Sequence, residues 1–549
     1  MREEYGVRRA ATPANAEQPL GARERALVRE AYERLGVFRE GCREAHERAR
    51  VARRIALLDD PEQDAPGTPP DRRTLQLQTL KSTLNNCVAD QMDNLPEPVL
   101  TPEREDTAEA AEDLTDIVRF ILDQNHFESL QRRRVEDCFI TGTAVTQITW
   151  DEDMDGGRGN VAMLRWPVEA LLWDPVAEDI QDARALMKVS WHPLSWYAAH
   201  YPQAARYVAA EEYAHEAVGV PDAWRTRQAA DEERAMMLEY WYRTYDAATR
   251  RYSIHVASMA GGALLEMSER DRPEGVFAHG LYPFVLDVYT PVEGMPVGNG
   301  MAQEFAPMMR YINRYAHYID ENLRMAAKTR LLVRRDAQID NTALTDWQQA
   351  IVEGGNIDEE AVRWMTTAPL SGLAPAQMLQ MQNDVKQDSG QNQFTRGETV
   401  GGVTAASAIA SLQEAGGKTT RLRTATLNQG FRRMVEQIVW LVAEFYEAGR
   451  AQRVTGRVGA PRRVVWGGGG SYPPPSYSVR VESQRRNPLR VQARNELFMQ
   501  AYTLAAQSGT PMPLTALFAL LETDGKERAL AAIREAQEQE KTGKEGEAG

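Results

Sequence analysis

The chain has few of the residues that usually carry chemistry in a metal or redox site. It contains 3 cysteines and 8 histidines in 549 residues. Cys42, Cys87 and Cys138 are far apart and odd in number, a pattern that excludes a disulfide framework and indicates a reducing compartment. His192 and His200 have no carboxylate between them, and no other histidines stand at metal-ligand spacing. We therefore expect neither a metal ion nor a cofactor.

Long apolar runs are also absent. No stretch approaches the roughly 18 apolar residues of a membrane helix, and the N-terminal region lacks the apolar core of a secretory signal. The formal net charge of −15 argues against tight binding of nucleic acid over a large surface, because such binding depends on Lys and Arg displacing counterions. The same charge remains compatible with a protein that lets DNA pass without holding it.

Phosphate-binding and dinucleotide-binding motifs fail at single positions. The stretch Glu414–Thr419 resembles the end of a phosphate-binding loop, but the pattern requires a glycine where the chain has Leu412. Gly298 and Gly300 lack the third glycine of a dinucleotide fingerprint, since position 303 is glutamine. No serine lies in a nucleophile elbow. The sequence thus gives no positive sign of an enzyme.

The first half of the chain predicts a charged helix followed by an α+β body. At this length we expect two to four structural units. Residues 21–58 predict a charged helix with a modest apolar stripe, which we interpret as a solvated surface helix, with a partner-binding arm as the alternative. Residues 73–290 alternate between helical patterns and short strands and predict a mostly antiparallel sheet.

The chain after this body predicts a long helix, a small insert, a second helix, a polar loop and a further long helix. In Met301–Lys328, apolar residues recur at spacings of three and four, which predicts an apolar face on a helix roughly 42 Å long. That face comprises Phe305, Met309, Ile312, Ala316, Ile319, Leu323 and Ala326. The last helix, 404–447, contains Gly416 and Gly417, which predict a kink.

Two groups of side chains leave alternatives open. One group is basic and consists of Arg421, Arg423, Arg432 and Arg433 in the long helix, with Arg485, Arg486, Arg490 and Arg494 further on. We interpret these arginines as a solvated or intersubunit ion-pairing face, with phosphate contact as the alternative. The other group is Trp347, Ile351 and Trp364 of the insert, which form either a small local core or a docking surface.

The order of these elements resembles the portal proteins of tailed bacteriophages, more closely the larger portals of short-tailed phages. Four stretches carry the resemblance: FITGTAVTQITWDED (139–153), WPVEALLWDPVAEDIQDAR (166–184), the segment 282–330, and the long helix 403–446. In the third, a Tyr-Pro strand, a glycine loop and an Arg-Tyr-Ile-Asn-Arg helix follow one another as in that family. The likeness covers about residues 73–500, and the short C-terminal region leaves no room for a long helical barrel.

The resemblance implies an α+β, mainly helical fold with the parts of a portal subunit. Those parts are an N-terminal charged helix and linker (1–72), a wing (73–300), a stem helix (301–328), a clip (329–371), a second stem helix (372–387), a tunnel loop (388–403), a long kinked helix with returning wing strands (404–483), and a helical crown and tail (484–549).

The resemblance also implies site residues. They are Gln391, Asn392, Gln393, Phe394, Thr395 and Arg396 of the tunnel loop, facing DNA; Trp347, Ile351 and Trp364 of the clip, docking terminase or the tail adaptor; and Phe305, Met309, Ile312, Ile319 and Leu323, packing the stem.

By the same resemblance, the protein forms a ring, usually of twelve subunits, at one capsid vertex. DNA is packaged by terminase, retained and ejected through that ring, and the tail or an adaptor attaches to it. The expected protein partners are the terminase large subunit, the major capsid and scaffolding proteins, and the tail adaptor. Double-stranded DNA is expected to pass through the channel without sequence specificity. The expected location is the virion, with assembly in the host cytoplasm. The alternatives are another laterally assembling virion or scaffold protein without a DNA channel, and an enzyme of nucleic-acid processing.

Overall fold

The computed structural model describes most of the chain as two units of mixed helix and sheet. The described residues are 18–64, 74–102, 108–211, 233–246, 250–327, 330–340, 342, 348, 351–356, 358, 361–365, 372–391, 418–447, 449–455, 461–466, 477–485 and 488–507. One unit comprises residues 1–52, 84–301 and 417–549, and the other comprises residues 53–83 and 302–416. Among the described helices, none has the length and apolar character needed to cross a membrane.

The helices and strands follow one another in chain order. The helices are α1 (Ala22–Ala56), α2 (Thr79–Met92), α3 (Ala108–Gln124), α4 (Phe127–Thr141), α5 (Met154–Gly157), α6 (Leu194–His200), α7 (Ser268–Asp271), α8 (Met301–Ala327), α9 (Leu373–Asp388), α10 (Lys418–Phe445) and α11 (Pro488–Gln507). The strands are β1 (Asn94–Pro102), β2 (Thr143–Asp151), β3 (Asn160–Trp166), β4 (Leu171–Trp173), β5 (Ala185–Pro193), β6 (Arg234–Asp246), β7 (Arg251–Ala260), β8 (Ala263–Met267), β9 (Phe284–Val288), β10 (Thr290–Pro291), β11 (Gly298–Asn299), β12 (Arg330–Val333), β13 (Val362–Met365), β14 (Ala451–Thr455), β15 (Pro461–Val465) and β16 (Tyr477–Arg485).

Two antiparallel sheets form the centre of the first unit. One has the order β4-β5-β6-β7-β8 and the other the order β3-β2-β9. The acidic turn after Asp151 closes the β2–β3 hairpin, where Asp151 pairs with Asn160. Helix α4 ends at Gly142, whose φ of 85° lies in the left-handed region that glycine adopts without strain. These elements confirm the antiparallel α+β body expected from the sequence.

The N-terminal helix is not a solvated surface helix. Leu27, Leu35 and Phe38 are buried in the same hydrophobic core as both sheets. Small residues such as Ala31 and Cys42 continue this buried face along α1. The sequence-based interpretation was wrong because alanine and cysteine add little to an apolar stripe, although they allow a helix to pack closely on a sheet.

Strand β1 was not predicted because three prolines interrupt it. Pro96, Pro98 and Pro102 all lie at even positions of β1, which pairs with β16. Leu100, also even, donates its N–H to the Thr115 hydroxyl (3.1 Å), so the even positions face away from β16. The missing proline N–H groups therefore cost no ladder bond, as is usual for edge strands.

Other differences are local. The sequence pattern predicts a helix from about Arg73 to Asn94, but α2 begins at Thr79. The sequence pattern also predicts a strand at Arg463–Trp466, and the structure pairs β15 there with β14, which was not predicted. The polar composition of 203–235 predicts a helix, but the described part of this stretch contains one 3-10 turn, Ala205–Tyr207, and the start of β6. The expected kink at Gly416 and Gly417 lies outside the described residues.

In the second unit, the first part of α8 is anchored to the segment that follows α1. Arg310 forms ion pairs with Asp60 and Glu62, each at 2.7 Å. The amide of Asn313 accepts the Leu77 N–H (3.0 Å) and donates to Gln63 (3.1 Å). These contacts fix only the first half of the helix.

Candidate functional site

Helix α8 changes from buried to exposed along its predicted apolar face. Met309 and Ile312 are buried at 5% and 0% exposure. Phe305 and Ile319 are half-buried, and Leu323 is 62% exposed. The single chain therefore covers the beginning of this face and leaves its end uncovered.

A second exposed stripe on α8 was not predicted. Tyr311 and Tyr318 are 55% and 52% exposed, and Met325 is 53% exposed. Their spacing of seven places them on one helical face, rotated from the stripe that contains Leu323. The end of α8 thus presents large apolar or aromatic side chains on more than one side.

The hairpin of β12 and β13 also exposes large apolar side chains. Trp364 pairs with Leu331 across the two strands and is 51% exposed, while Leu332 and Met365 are 55% and 51% exposed. Ile351, in the segment between the two strands, is 75% exposed. Trp364 and Ile351 are thus exposed among the described residues of the insert, and Trp347 lies outside the described residues.

The loop end of this hairpin is held by polar contacts. Arg334 forms ion pairs with Asp358 (2.8 Å) and Asp336 (2.7 Å), and these hydrogen bonds raise the pKa of Arg334. The Arg334 N–H also bonds the Ala361 carbonyl (2.9 Å). The apolar side chains are thus displayed on a small tied hairpin.

The residues predicted to face DNA begin where α9 ends. Gly390 has a φ of 79° and ends the helix, and the Gln391 N–H bonds the Lys386 carbonyl (2.9 Å). Gln391 is 5% exposed, which does not suit a side chain that faces a lumen. The other five residues, Asn392 to Arg396, lie outside the described residues, so their assignment stays a prediction.

A buried ion pair ties helix α10 to the three-stranded sheet. Arg134 of α4 and Asp287 of β9 are 1% and 0% exposed and form a two-point bond. Arg134 also bonds Gln131 (2.6 Å) and the Leu427 carbonyl of α10 (2.8 Å). A Cβ on Gly430 would lie 1.7 Å from Asp287 Oδ1, so the helix approaches this closely only because position 430 is glycine.

Arg423 is not part of an exposed basic face. Its side chain is buried, donates to the Tyr289 hydroxyl (2.9 Å) and lies over the Phe139 ring (5.7 Å). Of the predicted basic group, Arg432 pairs with Glu436 (2.9 Å) and remains solvent-accessible. The ion-pairing interpretation therefore fits Arg432, whereas Arg423 fixes the position of α10.

The glycines near position 298 have a packing role. A Cβ on Gly298 would lie 2.4 Å from the Thr290 carbonyl oxygen, and one on Gly300 would lie 2.3 Å from the Ile140 carbonyl oxygen. The Gly298 N–H bonds the Thr143 hydroxyl (3.0 Å). This backbone packing, at the end of α4, sets where α8 begins and accounts for glycines that a dinucleotide motif did not explain.

The described residues hold no group of His, Cys, Asp or Glu that could bind a metal ion. The three cysteines are buried, and no disulfide joins them. Burial raises the pKa of the Cys42 thiol to about 12, and it raises the pKa of Cys138 as well. Raised values disfavour the reactive thiolate.

Comparison with known proteins gives one family. The family model described as phage P22-like portal protein matches residues 61–548. No curated protein matches the chain. The family match spans both units and all the surfaces described above.

Proposed function

Since the chain belongs to the family of phage P22-like portal proteins, we propose that its copies form a closed ring, of twelve subunits, around the path of the DNA. The observation that carries this proposal is the family match over residues 61–548. Portal proteins are components of the virion capsid. The hypothesis of a laterally assembling virion protein without a channel has no comparable support.

The uncovered end of α8 supports ring formation. Leu323 belongs to the apolar face whose beginning is buried, and it is 62% exposed in the single chain. A face of this kind needs a neighbour, because apolar area left in water costs roughly 25 cal/mol per Å². Head-to-tail contacts that close by rotation supply such a neighbour to every copy. Residues 301–328 and 372–387 then serve as the stem helices.

The exposed hairpin supports a docking role for the clip, residues 329–371. Trp364 and Ile351 are exposed aromatic and aliphatic side chains on a tied scaffold, and Trp347 belongs to the same segment. Aromatic anchors in such settings are the usual centres of protein interfaces. The proposed partners are the terminase large subunit during packaging and the tail adaptor afterwards.

The loop 388–403 is proposed to line the channel. Among its candidates, Asn392 to Arg396 remain, since the buried Gln391 does not suit this role. A net charge of −15 disfavours strong attraction of DNA to the wall and so favours sliding. Double-stranded DNA is proposed to pass through the channel without sequence-specific contacts.

The remaining parts take positions that follow from the proposed ring. Residues 73–300, with the strands of 404–483, form the wing, and α1 joins it because its buried face lies in the same core. Residues 484–549 form the crown. The capsid and scaffolding proteins are the proposed outer partners, and assembly takes place in the host cytoplasm.

Electron microscopy and native mass spectrometry of the purified protein test the proposal. We expect a ring of about twelve subunits with a central hole, in line with the closed head-to-tail symmetry. A stable monomer, or an open filament without a hole, contradicts it. Addition of the terminase large subunit to the rings tests the docking role separately.

A further inference from the structure

The edges of the two main sheets are capped by side chains. On β3, the Asn125 amide donates to the Val161 carbonyl and accepts the Met163 N–H, both at 2.8 Å. On β8, the Gln18 amide both donates to and accepts from the Leu264 backbone, again at 2.8 Å. Each amide reproduces the bonds of a neighbouring strand, which protects an edge from unwanted pairing.

The edge of β4 is covered by α1. The His46 imidazole bonds the Leu171 carbonyl (3.0 Å), and the Cys42 thiol contacts the Trp173 backbone (3.5 and 3.6 Å). Three of the four outer edges thus have a side chain in place of a strand.

On the fourth edge, β9, alternate residues direct their backbone groups toward β2 and away from it. The Pro283 carbonyl accepts from Ile148 of β2 (2.8 Å), and the Tyr289 N–H donates to the Gly142 carbonyl (2.9 Å). Odd positions of this segment therefore face β2. Even positions direct their N–H and carbonyl groups away from the sheet.

Only half of the β9 edge is capped. The Gln181 amide accepts the Tyr282 N–H (2.9 Å) and donates to the Tyr282 and Phe284 carbonyls (3.0 and 3.1 Å). At the next even positions, Leu286 and Val288, no partner for the outward backbone groups lies within the described residues. Both residues are half-buried.

A cleft of about 420 Å³ lies over this open half. Its apolar wall includes Ile180, Leu286, Val288 and Met295. Three carboxylates, of Glu178, Asp179 and Glu436, also line it. Asp179 pairs with Arg433 (3.6 Å) and Glu436 pairs with Arg432 (2.9 Å), so the described lining keeps one excess negative charge, at Glu178. An unpaired strand edge in an apolar cleft is the arrangement that accepts an added strand from an extended peptide.

We propose that this cleft binds the N-terminal segment around Val7 of a neighbouring copy as an added strand on β9. Residues 5–11, YGVRRAA, carry two arginines and no acid, which complements the carboxylates of the cleft. They contain no proline, so every residue has an N–H to donate. The family match begins at residue 61, so this segment is additional to the part that the family shares.

The length of α1 favours a neighbouring copy over the same chain. Arg23 pairs with Glu269 at one end of the helix, and Arg48 contacts Met295 of the cleft near the other. These positions are about 38 Å apart along the helix. Val7 reaches only about 36 Å from the anchored Gln18 when fully extended, and a path over the surface is longer. The inference rests on the proposed ring, which places copies side by side.

Disulfide trapping tests the exchange in the full-length protein. Copies with Val7→Cys are co-assembled with differently tagged copies that carry Val288→Cys. Native mass spectrometry first establishes that rings form. We expect a disulfide between the two tagged copies. The control pairs Val7→Cys with Leu504→Cys, an exposed position on α11. The disulfide yield with Val288→Cys should be at least about tenfold higher than in this control. A yield equal to the control overturns the proposal.

A variant that carries both Val7→Cys and Val288→Cys in one chain tests whether the added strand comes from the same copy or from a neighbour. Disulfides confined to one chain contradict exchange between copies. A sample without rings contradicts the proposed function, whereas rings without trapping contradict only the strand exchange.

Amide exchange gives a readout without cysteines. In rings of the Val7→Asp variant, we expect the amides of Leu286 and Val288, which point away from β2, to exchange about tenfold faster than in the wild type, because the added strand no longer protects them. Unchanged exchange in intact rings overturns the proposal.

Discussion

Replacing Gly430 by alanine should destabilise the protein, although the same change in most helices is stabilising. In a helix interior, alanine is favoured over glycine by about 1 kcal/mol. Here the added Cβ would lie 1.7 Å from Asp287 Oδ1 and 2.8 Å from Arg134 Nη2. Neither side chain can move freely, because both are buried and each holds the other. The helix must shift or the ion pair must break.

The magnitude follows from these opposing effects. Breaking a buried ion pair costs about 3–5 kcal/mol, because charges remain buried without their partners. Subtracting the gain in helix propensity leaves a loss of about 2–4 kcal/mol. At about 2 °C per kcal/mol for a large unit, Tm should fall by roughly 4–8 °C.

Thermal unfolding followed by tryptophan fluorescence measures the effect. The matched control is Gln429→Ala, at an exposed neighbouring position of the same helix, which should change stability by less than about 0.5 kcal/mol. Adding Arg134→Met and Asp287→Ala to Gly430→Ala removes both charges and should restore much of the lost stability. A Tm of Gly430→Ala equal to or above that of the wild type refutes the reasoning.

Three further predictions concern assembly, pH and docking. Leu323→Asp should prevent ring formation, as seen by native mass spectrometry, while leaving the secondary structure intact by circular dichroism. The control is Val176→Asp, at an 88% exposed valine outside α8, and normal rings of Leu323→Asp would contradict the stem assignment. His279 accepts the Leu281 N–H (3.0 Å), and burial lowers the pKa of His279 to about 4. As pH falls, the imidazole of residue 279 therefore binds a proton in the unfolded chain before it does so in the folded chain, and the free energy of unfolding should fall by up to about 3 kcal/mol between about pH 6.5 and 4. His279→Phe should flatten that part of a Tm-against-pH curve. An unchanged curve would contradict the assignment. Trp364→Ala should weaken binding of the terminase large subunit to the rings at least tenfold, or by about 1.4 kcal/mol or more, as measured by surface plasmon resonance. The rings themselves should still form. Leu379→Ala, at an exposed leucine of α9, should leave this binding unchanged.

The order of elements from 301 onward could be read from the sequence because its signals are local. The three- and four-residue spacing in Met301–Ala327 defines a helical face without reference to the rest of the chain. The resemblance to portal proteins, which rested on this order, is confirmed by the family match over residues 61–548.

Contacts between distant segments could not be read in this way. The prolines of β1 exclude a central strand, and only pairing with β16, nearly 400 residues later, gives them an edge to occupy. The glycine at 430 and the arginine at 423 carry no local sign of their partners. Arg423 looked like one member of a basic face, whereas tertiary packing places its charge against Tyr289.

The sequence by itself determined the long helices and the family, because helical periodicity is a property of neighbouring residues. Tertiary structure alone decided which apolar faces stay uncovered. Leu323 and Ile312 share one helical face in the sequence, but only the folded chain buries Ile312 completely and leaves Leu323 mostly exposed. Burial depends on which distant segments arrive at a surface, and that difference is what singles out the end of α8 for contact with another copy.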